Sequence, residues 1–191
     1  MTSMIKSIIL TIRSSIIFSS NNPEIYNLNS INIKSNYNPK PTLEHIFPKC
    51  YMDKISYNDM HNIFKCNGEI NNLRSNYKYT DFENINNHDD FKKIANTDNY
   101  IDNKRKLFIP EEPSRGIIAR SIMYMSYEYK YRYSKVIDTN VLIDWCLNYP
   151  PEKTEINHNN IAFRKQFKKN KFIDLYCKKN YKNYIRNIFI E

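Results

Sequence analysis

TLEHIFPKC, residues 42–50, sets a carboxylate beside an imidazole, Glu44 and His45, in a segment whose Leu43 and Ile46-Phe47 read as half-buried strand. Successive residues of a regular strand point to opposite faces, so an adjacent pair serving one site requires a local distortion or a strand end. Pro48 shortly afterwards is compatible with that. Downstream, YNDMHNIFKCNGEINNLRSNYKY (57–79) predicts a short strand from His61 to Phe64, a turn at Cys66-Asn67-Gly68 and a short helix carrying Asn71 and Arg74. The order becomes strand, loop, strand, helix, with a histidine and a carboxylate on the first strand and an amide oxygen on the helix. A hard cation such as Mg²⁺ takes oxygen ligands of this kind and keeps several waters. A neutral imidazole beside it can remove a proton from an attacking water.

At 191 residues the chain predicts a single globular unit. Its net charge of +9 points to a polyanionic partner, nucleic acid ahead of an acidic membrane surface. Tyr and Phe, 16 and 10 of them, add stacking faces to the phosphate-neutralising charge. The wealth of Asn, Ile, Lys and Tyr is also what an AT-rich genome encodes, so charge gives a class of partner and no activity. Cys50, Cys66, Cys146 and Cys177 show no CxxC pair or zinc spacing, and could form two disulfides or none. No apolar run approaches the length of a membrane span. The opening MTSMIKSIILTIRSSIIFSS is acid-free and Ser-rich in the manner of a targeting segment, but Arg13 interrupts its apolar run, and an ordinary first helix or strand is the expectation.

Residues 21–41, with Asn-Pro at 22-23 and 38-39, read as an irregular lead-in. Residues 83–106, rich in Asn, Asp and Lys, read as a long surface loop. Ile118, Ile122, Met125 and Tyr129 recur at helical spacing, as do Leu142, Trp145 and Tyr149 before the stop at Pro150-Pro151. A third helix is expected from about 152 to 170, its polar stripe of Glu155, Asn159, Gln166 and Asn170 fastening it to the core. A basic, aromatic tail follows. The chain has only two glycines, Gly68 and Gly116, which marks both as places where a side chain is forbidden or the backbone turns sharply.

The runs LEHIFP, DMHNIFKCNGEINNLRSNY, LFIP, RGIIAR, the Trp145 helix followed by Pro, and EINHNNIAFRKQFKKNKFID occur here in the order they take in the endonuclease I family, nonspecific nucleases built on the ββα-metal (His-Me) finger. The chain resembles that family over roughly residues 42–175. The resemblance implies an α+β fold, a His-Me finger core flanked by helices, with 1–41 as a flexible or targeting lead-in and 42–191 as the nuclease domain. It implies a monomeric, low-specificity endonuclease that cuts DNA to 5′-phosphate ends with Mg²⁺, or with Mn²⁺ or Ca²⁺ in its place, RNA being left open. His45 then looks like the general base, and Glu44 and Asn71 like the metal ligands. Arg74 joins His45 among the catalytic residues and, with Arg120, contacts phosphate bidentately. Asp59, His61, Asn67 and Asn76 look structural.

The chain departs from the family's pattern at four places. Lys65 stands where a Pro is common, and Lys49 and Lys54 are the only cations where some members carry a phosphate-binding arginine. Lys169 to Asp174 replaces a stretch often reading Arg-Asn-Pro-Phe-Ile-Asp, and the loop 83–106 has no counterpart. These departures leave a rival of another class, a decayed homologue that binds nucleic acid without cutting it.

Overall fold

The computed structural model describes residues 24–25 and 41–190, so the possible targeting segment and most of the lead-in lie outside the described residues. β1 (Glu24–Ile25), β2 (Pro41–His45) and β3 (Ile63–Asn67) form a sheet in the order β1-β3-β2, with β1 parallel and β2 antiparallel to β3. α1 (Gly68–Arg74) follows β3 directly.

Two local details differ from the sequence reading. His61 sits in a 3-10 turn (Met60–Asn62), so β3 begins only at Ile63. The turn expected at 66–68 is absent, because Asn67 ends the strand and caps the helix at once: its Oδ1 accepts the backbone N–H of Glu69 at 2.9 Å and of Ile70 at 3.2 Å. Those N–H groups would otherwise lack intrahelical partners.

A second sheet holds β4 (Lys78–Tyr79), β5 (Lys92–Lys93), β6 (Tyr100–Asp102) and β7 (Leu107–Ile109) in the order β4-β7-β6-β5. Residues 83–106 are therefore not a plain surface loop, since β5 and β6 pair antiparallel within them. The buried carboxylate of Asp102 closes the following turn by accepting from the backbone N–H of Lys104 and Arg105, at 2.9 and 3.0 Å, and from the Arg105 side chain. Polar side chains that satisfy nearby backbone groups carry this segment where apolar periodicity is missing.

The helices are α2 (Glu112–Tyr129), α3 (Thr139–Asn148), α4 (Lys153–Gln166), α5 (Lys171–Asp174) and α6 (Tyr181–Phe189). Helices and small sheets together make a mixed α+β fold. The expected faces are inward: Ile118, Ile122, Met125, Leu142 and Trp145 are buried, while Tyr129 and Tyr149 are half-buried. Around them pack Phe47, Tyr79, Phe108 and Phe172. α4 ends at Gln166, short of the expected 170, and Asn170 instead caps α5 through the N–H of Phe172 at 3.0 Å. The polar stripe does fasten α4: Glu155 binds Arg120 at 2.8 and 2.5 Å, Asn159 accepts from the N–H of Asn170 at 2.8 Å, and Gln166 accepts from that of Met60 at 3.0 Å. All four cysteines are free thiols, and among the described residues no helix is long and apolar enough to cross a membrane.

Gly116 meets the steric expectation. A Cβ built there would lie 2.4 Å from the Tyr149 carbonyl oxygen, at the end of α3, and 2.7 Å from the Arg120 guanidinium. The α2–α3 contact thus depends on the missing side chain. Gly116→Ala is expected to destabilise the protein by about 1–3 kcal/mol in urea unfolding, the usual result of overpacking against backbone that cannot retreat.

Candidate active site

His45 is the last residue of β2 and pairs with Ile63, while Glu44 pairs with Phe64. The strand end resolves the conflict between adjacency and a shared site. Beyond His45 the ladder continues only as one backbone bond, Ile46 N–H to the Asn62 carbonyl at 3.1 Å. The Asn62 side chain then takes over: its Oδ1 accepts the Phe47 N–H at 2.7 Å and its Nδ2 donates to the Phe47 carbonyl at 3.0 Å. A buried amide imitates a strand partner here and turns the chain away. Glu44 and His45 both line one open cleft of about 450 Å³, with Lys49, Asn71, Arg74 and Ser75 among its other walls.

The cleft fixes the imidazole's chemistry. His45 Nε2 lies 2.9 Å from the backbone carbonyl of Tyr57. A carbonyl only accepts, so Nε2 carries the proton and Nδ1 is the basic nitrogen. Burial pushes the His45 pKa down to about 4; the Tyr57 bond opposes this, and the positive charges of Lys49 and Arg74 reinforce it. At neutral pH the ring is therefore uncharged.

Arg74 lies differently from a phosphate contact. It is 1% exposed, and its guanidinium donates to Glu44 Oε1 at 2.5 Å, the His45 carbonyl at 3.2 Å and the Ile46 carbonyl at 2.8 Å. Its Cζ sits 4.3 Å from the centroid of the Tyr79 ring. The fork that would fit a phosphate is spent on Glu44 and on the end of β2, which it ties to α1. One helical turn earlier, Asn71 donates from Nδ2 to Thr42 Oγ1 at 3.0 Å and to the Leu43 carbonyl at 3.4 Å. Its amide protons face β2, which leaves Oδ1 as the atom for a cation.

The remaining motif residues brace this corner. Asp59 is buried and accepts four hydrogen bonds: from His61 N–H and Gln166 Nε2, both at 2.9 Å, and from the hydroxyls of Tyr124 at 2.9 Å and Tyr129 at 2.6 Å. His61 Nε2 meets the Lys168 carbonyl at 2.9 Å, and burial holds its pKa below the ordinary imidazole value. Asn76 Nδ2 reaches Cys50 Sγ at 3.5 Å at the edge of the cleft. Arg120 does not line the cleft: it is 1% exposed, with its guanidinium on Glu155 and the Tyr149 carbonyl. Lys49 lines the cleft and is exposed, whereas Lys54 is exposed in a 3-10 turn outside it. The sequence reading brings Glu44, His45, Asn71, Arg74 and Lys49 together and misses Thr42, Asn62 and the Tyr57 carbonyl, whose partners lie 12–29 residues away.

Whether these groups suit a metal can be judged from their chemistry. One carboxylate and one amide oxygen are hard donors, matching a cation that keeps most of its water. Among the described residues no group of three or more His, Cys, Asp or Glu is placed to hold a metal, so no soft or zinc-like site competes. Glu44 and Asn71 are thus the residues that could hold a hard divalent cation such as Mg²⁺.

Two outcomes follow. Arg74→Met takes the countercharge from a carboxylate that is 3% exposed, and is expected to cost about 3–5 kcal/mol of stability, read by urea unfolding. His45 has a folded pKa near 4, below its unfolded value of 6.5, so the stability it contributes is fully present above pH 6.5 and is lost as pH falls toward 4. NMR titration of the imidazole C2 proton should accordingly show no protonation of His45 at pH 6; a midpoint near 6.5 would contradict its burial.

The sequence has known relatives. Residues 5–177 match the family model described as Endonuclease I. The chain is 31% identical over 120 residues to an extracellular deoxyribonuclease of Aeromonas hydrophila, covering 62% of this chain and 50% of that protein. It is 31% identical over 125 residues to Endonuclease-1 of Buchnera aphidicola subsp. Baizongia pistaciae, covering 65% and 49%. A second Endonuclease-1, of Buchnera aphidicola subsp. Acyrthosiphon pisum, is 31% identical over 134 residues, covering 69% and 51%. The chain spans about half the length of the relatives it matches. With the family model covering most of its length, the chain belongs to the Endonuclease I family.

Proposed function

We propose that the protein is a metal-dependent, low-specificity endonuclease that hydrolyses phosphodiester bonds of DNA, and that β2, β3 and α1 form its ββα-metal unit within a nuclease domain of residues 42–191. The observation that carries this reading is the shared cleft of Glu44, His45 and Asn71, with the His45 tautomer fixed by the Tyr57 carbonyl. The family and a relative named as a deoxyribonuclease support DNA as substrate.

In this reading His45 Nδ1 takes a proton from a water that attacks phosphorus in line with the 3′ oxygen. The bond from phosphorus to that oxygen breaks, and the departing oxygen takes a proton from solvent water, leaving a 5′ phosphate and a 3′ hydroxyl. Glu44 and Asn71 would hold a divalent cation, which when bound would supply positive charge to offset the negative charge developing in the transition state. Arg74 acts by holding Glu44, and Lys49 on the cleft wall neutralises a neighbouring phosphate as a point charge. Lys49 and a bound cation would engage the phosphodiester backbone, so binding should weaken with salt.

Nicking of supercoiled plasmid should require Mg²⁺, stop with EDTA and fall by about 10²–10⁴-fold in His45→Ala. Plasmid binding without cutting across Mg²⁺, Mn²⁺ and Ca²⁺ would replace this reading with that of a non-enzymatic nucleic-acid-binding homologue.

A further inference from the structure

We propose that Thr42 is a positioning residue for the metal site: its hydroxyl locks the Asn71 amide with oxygen toward the cleft, through a hydrogen-bond relay that ends on Cys66. The inference rests on the reading of Asn71 as a metal ligand.

An amide presents nearly the same shape with oxygen and nitrogen exchanged, but only the oxygen can ligate a cation. Something must therefore choose the rotamer. The Leu43 carbonyl, 3.4 Å from Asn71 Nδ2, favours nitrogen on the β2 side because it can only accept, yet the contact is long. The closer partner is Thr42 Oγ1 at 3.0 Å, and a hydroxyl alone does not discriminate, since it can donate or accept.

Cys66 makes the hydroxyl discriminate. Thr42 and Cys66 are directly opposed across β2 and β3. The Cys66 thiol donates to the Thr42 carbonyl at 3.7 Å, and its sulfur lies 3.5 Å from Thr42 Oγ1. The single thiol proton can go to either atom; on the Thr42 carbonyl it leaves the Thr42 hydroxyl proton for the sulfur and Oγ1 as acceptor. The relay then runs from Asn71 Nδ2 to Thr42 Oγ1, from the hydroxyl to Cys66 Sγ, and from the thiol to the Thr42 carbonyl. In that arrangement each link has one direction. Cys66 is fully buried, so water does not compete at the sulfur end of the relay. Groups that orient a ligand without touching the metal commonly change metal affinity or activity by about 10- to 100-fold.

The test is Mn²⁺ binding to the full chain, followed by the loss of the free-ion EPR signal, with no nucleic acid present. Thr42→Val keeps the shape and strand preference but removes the hydroxyl, and is expected to weaken Mn²⁺ binding about tenfold or more. Thr42→Ser should restore wild-type affinity. Circular dichroism and the urea midpoint check folding; should the Val variant not fold, Thr42→Ala carries the same expectation. In plasmid nicking, the Mn²⁺ concentration for half-maximal rate should rise in Thr42→Val while the rate at saturating Mn²⁺ stays close to wild type. If Asn71→Ala loses Mn²⁺ and Thr42→Val binds it like wild type, the Thr42 inference alone is overturned. It is equally overturned if Thr42→Ser binds as weakly as Thr42→Val. If Asn71→Ala binds Mn²⁺ like wild type, Asn71 is not a ligand and the inference falls with that reading.

Discussion

Burying a guanidinium to 1% exposure is costly unless it is paired, and both Nη nitrogens of Arg74 donate to the end of β2. That requirement couples the two halves of the cleft. Glu44 and the carbonyls of His45 and Ile46 come from the strand, the arginine comes from α1, and Asn71 lies one turn before it on the same helix. If α1 slid along β2, the ion pair and both carbonyl bonds would break together. The carboxylate is thus held by an interaction that simultaneously sets the distance between strand and helix.

Behind this corner, the backbone is braced from elements far away in sequence. Asp59 collects donors from its own turn, from Tyr124 and Tyr129 of α2 and from Gln166 of α4. Ser121 of α2 donates to the His61 carbonyl at 2.7 Å, and His158 of α4 meets the Met60 carbonyl at 2.8 Å. The 3-10 turn that carries Asn62 is therefore pinned on both sides. Since Asn62 is what ends β2, helices that never enter the cleft decide where His45 stands.

The sequence makes the chemical groups legible and their division of labour much less so. Glu44, His45 and Asn71 sit in short runs whose residue types announce a strand, a second strand and a helix. Burial of Ile118, Ile122, Leu142 and Trp145 follows from helical spacing in the same direct way. Arg74 was opaque because an arginine beside a candidate metal site satisfies two descriptions equally, and only the three-dimensional count of its partners separates them. Arg120 is the same case with Glu155 as the hidden term. In 83–106, strands of two and three residues are too short for any period to register, and polar side chains closing turns look in sequence like solvated loop. Asn62 had no local signal, because the backbone groups it serves belong to Phe47.

The two residues of β1 lie parallel to β3 in register Glu24 with Lys65 and Ile25 with Cys66, which makes β3 the middle strand of its sheet. Cutting the chain at residue 41 would turn that middle strand into an open edge, with backbone donors and acceptors in a row and the apolar Phe64 and Cys66 close behind. A shortened protein would retain each group of the cleft and yet offer a template for strand addition by another copy of itself. The pairing of Glu24–Ile25 therefore shields the Lys65–Cys66 edge of β3 from self-association, and a shortened protein that keeps this shield should start ahead of Glu24.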